Sequence, residues 1–417
     1  MRSEAIRQLA IEGGPKAFAA PEGKAQPKIG IAEFLSIARR FGFSEAAMRR
    51  IADAVSDDDL PEGGPNLARY ICAKPAPPVG EQYEAKAREL FGSRYALAVS
   101  SGTAALHAAM VAVGAGPGTE VICPALGFMA TSAAVALTGA TPVFCDVDES
   151  LQIDPTKIEA CVTDRTVAVA PTHQCGVTAD MEAVMAVAGR CGLKVVEDCA
   201  QSPGARFGGR YVGTIGDVGC FSISAYKIIG GGEGGLLLTQ DQRLYERSCQ
   251  LAECGGLWRP DRFAPPRYEG ELFAGTNYRL SELESAVDIV QLDKLEPLVD
   301  RYRRVYRRIL AQLAGYRQVR PQKHNDFEGD IGYLIRFFPD THELAGKIVE
   351  ALRAEGIGAT WRGPQAKPDW HLYSYMFPVW EHIGGQIRRD CPVADDLYSR
   401  VVTLHVSPWW TDGDCDA

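Results

Sequence analysis

Between Gln82 and Ala200 the chain repeats one unit: a helical stretch, then a short apolar run in which hydrophobic and polar residues do not alternate. QYEAKARELFG precedes YALAVS, SGTAALHAAMVAV precedes EVICPA, and TSAAVALTG precedes PVFCDVD. DPTKIEACV precedes VAVAP, and ADMEAVMAVAGRCG precedes KVVEDCA. A strand without alternation is buried on both faces, and the intervening helices supply the cover. The pattern therefore predicts an α/β fold with a mostly parallel central sheet, to which GCFSIS and GGLLLTQ add two more strands.

The rhythm differs on either side. Residues 1–80 carry two helical patterns, AEFLSIARR and SEAAMRRIADAV, and then a loop rich in Pro and Gly. They are expected to form a helical extension packing on a large domain of residues 81–295. Leu280 to Leu313 is strongly helical; GYLIRFF, THELAGKIVEALRAEG and IGATW then read as strand, helix and strand. This describes a smaller α+β domain, residues 296–417. In the final WWTDGDCDA, Thr411 or Asp412 is placed to cap a helix that the sequence is read as not completing.

The formal net charge of −9 disfavours a nonspecific nucleic-acid or anionic-membrane partner, and no apolar run is long enough to cross a bilayer. The basic run DRYRRVYRR reads as a solvated helix face. The first residues, MRSEAIRQLAIEGG, carry charges where a signal peptide has its apolar stretch, so a cytoplasmic location is expected. The twelve cysteines stand singly in apolar contexts such as VICPA and VGCFS, without the C-x-x-C spacing of a zinc or redox site. They read as reduced and mostly buried, and no metal site is expected.

Three motifs fall at the carboxyl ends of expected strands, where open α/β sheets bind ligands. In SSGTAAL (Ser100–Leu106) a strand turns at Gly102 into a helix, which aims backbone N–H groups and the Thr103 hydroxyl outward as a cup for phosphate; an ordinary N-cap is the competing reading. In VVEDCAQSPGA (Val195–Ala205) Asp198 ends an apolar strand, and a buried carboxylate there needs a cation or hydrogen-bond donors. In FSISAYKIIGGGEGG (Phe221–Gly235) Lys227 lies between a strand with Ser222 and a cluster of glycines. Flanked by Tyr226, Ile228 and Ile229, it reads as enclosed, and a desolvated amine is a usable nucleophile or base. A phosphate cup, a buried aspartate and such a lysine together describe a site for pyridoxal 5′-phosphate. The lysine forms a Schiff base and the aspartate keeps the ring nitrogen protonated.

Five segments in order, SSGTAAL, GFMATSAAVALTGATPVFCDVD, EDCAQSPGA, GTIGDVGCFSISAYKIIGGGEGG and GTNYRLSELESAV, resemble the DegT/DnrJ/EryC1/StrS family. These are fold-type I, aspartate-aminotransferase-like enzymes acting mostly on sugars and aminocyclitols, and the resemblance is strong over residues 80–295. It implies that Lys227 binds the cofactor, Asp198 pairs with its ring nitrogen, and Gln201 contacts its phenolic oxygen. It also implies that Gly102, Thr103, Ala104 and Ser222 form the phosphate cup and that Phe128 stacks on the ring. Asn277 would reach the phosphate of a neighbouring subunit, which makes the protein a homodimer with shared sites. His173, in PTHQCG, is expected to be a hydrogen-bonded structural residue near the cofactor.

The activity so implied is transfer of an amino group from glutamate or glutamine to a keto-sugar, with a nucleotide-linked one favoured over a free keto-cyclitol. The related deoxysugar dehydratases carry histidine in place of the lysine, so Lys227 speaks against that activity. A non-enzymatic regulator would need a basic helix-turn-helix, and none is evident in the sequence. Acceptor contacts are expected from Trp361, Arg362, Trp370 and His371, with Arg69 and Tyr70 of the N-terminal segment.

Overall fold

The computed structural model describes residues 9–16, 27–61, 64, 65, 67, 77–256, 258–317, 319–364, 369–376 and 390–417. Residues 1–72 and 73–417 form two units. In the first, α1 (Ile31–Arg40) begins where Asp57 accepts the Ile31 N–H at 2.9 Å, and α2 (Glu45–Ala54) is capped by Ser44.

The second unit is built on seven strands: β1 (Tyr95–Val99), β2 (Glu120–Pro124), β3 (Thr141–Cys145), β4 (Thr166–Val169), β5 (Lys194–Asp198), β8 (Val218–Ser222) and β9 (Gly235–Thr239). Their order is β1-β9-β8-β5-β4-β2-β3. Every pairing from β3 to β8 is parallel, while β9 runs antiparallel to both its neighbours. β1, β5 and β8 therefore run the same way, and their carboxyl ends meet at one edge of the sheet. A short hairpin, β6 (Arg206–Phe207) with β7 (Arg210–Tyr211), lies between β5 and β8 in sequence.

The expected helices cover this sheet. They are α3 (Val79–Phe91), α4 (Gly102–Ala112), α5 (Ala130–Leu137), α6 (Pro155–Ile158), α7 (Met181–Cys191) and α8 (Gln242–Ala252). Leu97, Val121, Val196 and Leu237 pack with α4 on one face, and Ala96, Phe221, Leu236 and Leu238 pack with α3 on the other. At roughly 25 cal/mol per Å² of apolar area removed from water, this two-sided burial is what holds the sheet.

The single helical stretch expected from Leu280 to Leu313 is two helices, α9 (Glu282–Leu292) and α10 (Leu295–Leu313), broken at Asp293–Lys294. Beyond them lies a three-stranded antiparallel sheet of β10 (Leu334–Phe337), β11 (Ala359–Thr360) and a central β12 (Val402–His405), with α11 (His342–Ala354) and α12 (Pro392–Arg400). A short helix does follow the cap read at Thr411 or Asp412. Thr411 caps α13 (Asp412–Asp416), because its hydroxyl and the Asp414 carboxylate satisfy each other's backbone N–H groups. The basic run of α10 serves this helix: Arg304 pairs with Asp412 at 2.7 Å and Arg308 with Asp416 at 2.6 Å. Among the described residues no helix is long and apolar enough to cross a membrane, and none of the described cysteines is in a disulfide.

A buried carboxylate beneath the lysine loop is out of balance. Asp288 of α9 is fully buried under the glycines that follow Lys227, and neither carboxylate oxygen has a hydrogen-bond partner. Burial, reinforced by the charge of Glu284, pushes its pKa up to about 7. Because the folded value is raised, the unfolded state ionises first, and stability is lost as pH rises from the ordinary carboxylate range to about 7. Asp288→Ala is therefore expected to stabilise the protein by about 1–3 kcal/mol at pH 8 and by less at pH 5. Denaturation midpoints at the two pH values check this; an equal effect at both would contradict it.

Candidate active site

Three chain segments meet where the carboxyl ends of β1, β5 and β8 converge. After β1 the chain turns into α4, with the Ser101 hydroxyl accepting the Ala104 N–H at 3.1 Å. That cap leaves the Gly102 and Thr103 N–H groups at the open end of the helix, where an anion is favoured. Gly102 faces Ser222 at the end of β8 so closely that a Cβ on it would lie 2.7 Å from the Ser222 Cβ. Gly235 of β9 is as constrained, since a Cβ there would meet the Ser101 carbonyl oxygen at 2.2 Å.

Asp198, at the end of β5, is 3 % exposed. Its Oδ2 accepts the Thr131 hydroxyl at 2.5 Å and its Oδ1 accepts the Ala200 N–H at 3.0 Å. Among the described residues no cation pairs with it. A buried carboxylate held by two neutral donors and facing a pocket is suited to a cationic N–H on a ligand.

The pocket has a volume of about 540 Å³, and its walls include Gly102, Thr103, Phe128, Asp198, Gln201, Ser222 and Lys227. The structure thus brings seven of the nine expected site residues to one cavity. Ala104 stands outside it, because its amide serves the N-cap and its methyl group lies in the core. Asn277 is exposed and away from this cavity, with its Oδ1 accepting the Arg279 N–H at 3.2 Å.

Lys227 corrects one expectation. Its side chain is half-buried, and Tyr226 beside it is 99 % exposed. The reason is local: after Ile223 the chain leaves the sheet in a turn, with the Lys227 N–H donating to the Ser224 carbonyl and the Ala225 N–H to the Gly232 carbonyl. The lysine borders an open pocket instead of lying in a closed one, and its ammonium pairs with no carboxylate among the described residues.

The acceptor candidates are corrected more widely. Among the candidates that are described residues, only His371 lines the pocket, its ring 5.4 Å from that of Phe128. Trp361 packs against Gly346 and Gly363, beside the buried cluster of Val305, Ile335 and Phe337. Arg362 is held by Asp369 and lies over the Tyr398 ring at 4.9 Å, so it is not free for a diphosphate. Trp370 is half-exposed but off the pocket, and Arg69 and Tyr70 lie outside the described residues.

The sequence reading missed Thr131, Tyr302 and Tyr333. Thr131 had a readable signal: it sits in the first turn of α5, three residues after Phe128.

His173 has the structural role expected of it. Fully buried, its Nδ1 accepts the Ala179 N–H at 3.1 Å, which places the proton on Nε2, 3.1 Å from Glu197 Oε2. Glu197 also accepts the N–H groups of Gly213, Ile215 and Gly216 at 2.6–2.8 Å. Burial alone would raise this carboxyl, but the His173 bond and the Gly213 and Gly216 amides outweigh it and hold the pKa below its ordinary value. His173, Glu197 and Cys199 lie close enough together to ligate a metal. However, the imidazole and carboxylate already have hydrogen-bond partners, and burial pushes the Cys199 thiol well up, so the cluster reads as a brace between β5 and the loop before β8.

Comparison with known proteins agrees with this geometry. Residues 77–417 match the model of the DegT/DnrJ/EryC1/StrS aminotransferase family. A UDP-N-acetyl-3-dehydro-alpha-D-glucosamine 3-aminotransferase of Acidithiobacillus ferrooxidans is 35% identical over 333 residues, 79% of this chain and 84% of the relative. A GDP-perosamine synthase of Caulobacter vibrioides is 38% identical over 309 residues, 72% of this chain and 78% of the relative. The crystal structure of 3-amino-5-hydroxybenzoic acid synthase superposes with a TM-score of 0.67 at 31% identity, covering 78% of this chain and 85% of that one.

The Gly102–Ser222 contact is directly testable. Gly102→Ala is expected to push α4 away from β8 and weaken binding of pyridoxal 5′-phosphate by roughly five- to a hundredfold, an overpacking effect of ~1–3 kcal/mol. Fluorescence titration of the apoprotein measures it; unchanged affinity would show that the cup tolerates a side chain.

Proposed function

Because the chain belongs to the DegT/DnrJ/EryC1/StrS aminotransferase family, we propose that this pocket holds pyridoxal 5′-phosphate and moves an amino group from glutamate or glutamine to a nucleotide-linked keto-sugar. The observation that carries the reading is Asp198, a buried carboxylate that pairs with no cation among the described residues, sharing one pocket with Lys227 and the open end of α4. The residues fit the group. The Gly102 and Thr103 amides with the Ser222 hydroxyl would take the phosphate, Asp198 the ring N–H, Gln201 the phenolic oxygen and Phe128 one ring face.

When bound, the cofactor supplies an electron sink and a carrier for the amino group. The protein's part is positioning and proton transfer. Asp198, fixed by Thr131 and Ala200, holds a proton on the ring nitrogen. Lys227 Nζ, carried on a turn and in no ion pair among the described residues, would take the proton from the donor's α-carbon and deliver it to the cofactor carbon that receives the amino group. The α4 amides anchor the far end, so the reacting carbon stays within reach of the lysine.

The acceptor class is supported by the relatives named for UDP- and GDP-linked sugars, and the pocket walls also include Tyr302, Tyr333 and His371, which would be available to an acceptor. Asn277, exposed and off its own chain's pocket, supports a homodimer in which it completes the partner's phosphate site. A monomeric mass for the cofactor-loaded protein would contradict that.

Asp198→Ala is expected to retain the cofactor through Lys227 and the phosphate cup while slowing the single-turnover reaction with glutamate by about a hundredfold or more. Stopped-flow absorbance gives the rate. Near-parental turnover in a variant of normal cofactor content would make Asp198 structural and remove the main support for this function.

A further inference from the structure

Gln201 lines the pocket, and what orients its amide is a pair of residues outside the expected site. Cys175 adopts φ +57°, a left-handed conformation that non-glycine residues seldom take. That conformation directs both of its donors at one atom: the backbone N–H lies 3.0 Å and the thiol 3.2 Å from Gln201 Oε1. Behind Cys175, Arg336 of β10 donates from Nη2 to the sulfur at 3.0 Å. Arg336 is 7 % exposed, and its Nε and Nη1 have no hydrogen-bond partner. Among the described residues it pairs with no carboxylate. A guanidinium buried without a counter-anion is costly to keep, so the place where its charge is compensated needs to be found.

We propose that Arg336 and Cys175 form a relay that fixes Gln201 with its NH₂ group toward the pocket and lends positive potential to the anionic phenolic oxygen of the cofactor. The inference rests on the cofactor reading above. With Oε1 occupied by two donors, the amide can present only N–H to the pocket, and a donor suits an oxyanion. The Arg336 charge is transmitted through two polarised hydrogen bonds, which strengthen one another in a site of low dielectric. Cys175 and Arg336 are positioning residues: neither lines the pocket. The strained backbone at Cys175 is accounted for in the same way, since a residue in extended or right-handed conformation would not aim both donors at one oxygen.

The test reads the visible absorbance of the cofactor-loaded protein against pH, with no substrate present. Positive potential at the phenolic oxygen favours the deprotonated cofactor. Removing it is therefore expected to move the midpoint of the spectral change upward by about half a pH unit or more in Arg336→Met and Cys175→Ala. Cys175→Ser keeps both donors and is expected to restore most of the parental midpoint, and Arg336→Lys keeps the charge and is expected to shift less than Arg336→Met. The other titratable groups at the pocket, Asp198, Tyr226, Lys227, Glu233, Tyr302, Tyr333 and His371, are the same in every variant, as are Tyr398, which both Arg336 and Asp369 approach, and Asp369 itself; Tyr333 also hydrogen-bonds the Cys175 side chain and lies near Arg336. A midpoint that ignores all four substitutions would overturn the relay while leaving the cofactor assignment intact. Absence of any visible band in the parent would overturn both. If Arg336→Met fails to fold, the Cys175→Ala and Cys175→Ser pair decides, and equal midpoints for those two would reject the proposal.

Discussion

The close contact of Gly102 with Ser222 is the constraint on which the site depends. It joins the start of α4 to the end of β8, so one small cup is made from two elements far apart in sequence. The contact is possible because β1 and β8 run the same way on either side of the antiparallel β9, which brings their carboxyl ends to one edge. Asp198 reaches the same edge from β5, and Lys227 follows five residues after Ser222. Phosphate cup, ring-nitrogen partner and lysine are thus set apart by the spacing of adjacent strands, with little left to side-chain choice.

A second layer of buried polar groups keeps that edge rigid. Glu197, next to Asp198 and facing the opposite way along the strand, binds His173 and three amides of the loop before β8. The loop holding His173 and Cys175 is thereby tied to β5, and Cys175 in turn holds Gln201. Each of these groups is satisfied by neighbours on the same edge, as a buried network must be if it is to add rigidity. Asp288 and Arg336 depart from that rule, one under the lysine loop and one behind Gln201, so two buried charges with unsatisfied atoms lie beside the site.

Much of this was legible in the sequence because strands buried on both faces leave continuous apolar runs. YALAVS, EVICPA and KVVEDCA contain strands, PVFCDVD and VAVAP overlap strands that begin one residue earlier, and the motifs sat at strand ends. The failures have physical causes. The exposure of Lys227 depends on where the chain leaves the sheet, and flanking isoleucines do not report that. Trp361 and Arg362 looked available because aromatic and basic residues suit sugars and phosphates, yet tertiary partners, Gly346 for one and Asp369 for the other, had already claimed them. Cys175 and Arg336 are 161 positions apart in sequence, and no local pattern announces a contact of that range. The helix α13 was read as never arriving after the cap at Thr411 or Asp412, whereas Thr411 with Asp414 closes a five-residue helix whose partners are the arginines of α10.

The central claim is that Lys227 is the residue that binds the cofactor covalently at this edge. Reducing the loaded protein with borohydride, digesting it and mapping the modified peptide by mass spectrometry tests it most directly. The account predicts a single phosphopyridoxyl adduct, on Lys227 within FSISAYKIIGGGEGG. An adduct on any other lysine, or a protein that binds the cofactor without becoming reducible, would contradict it.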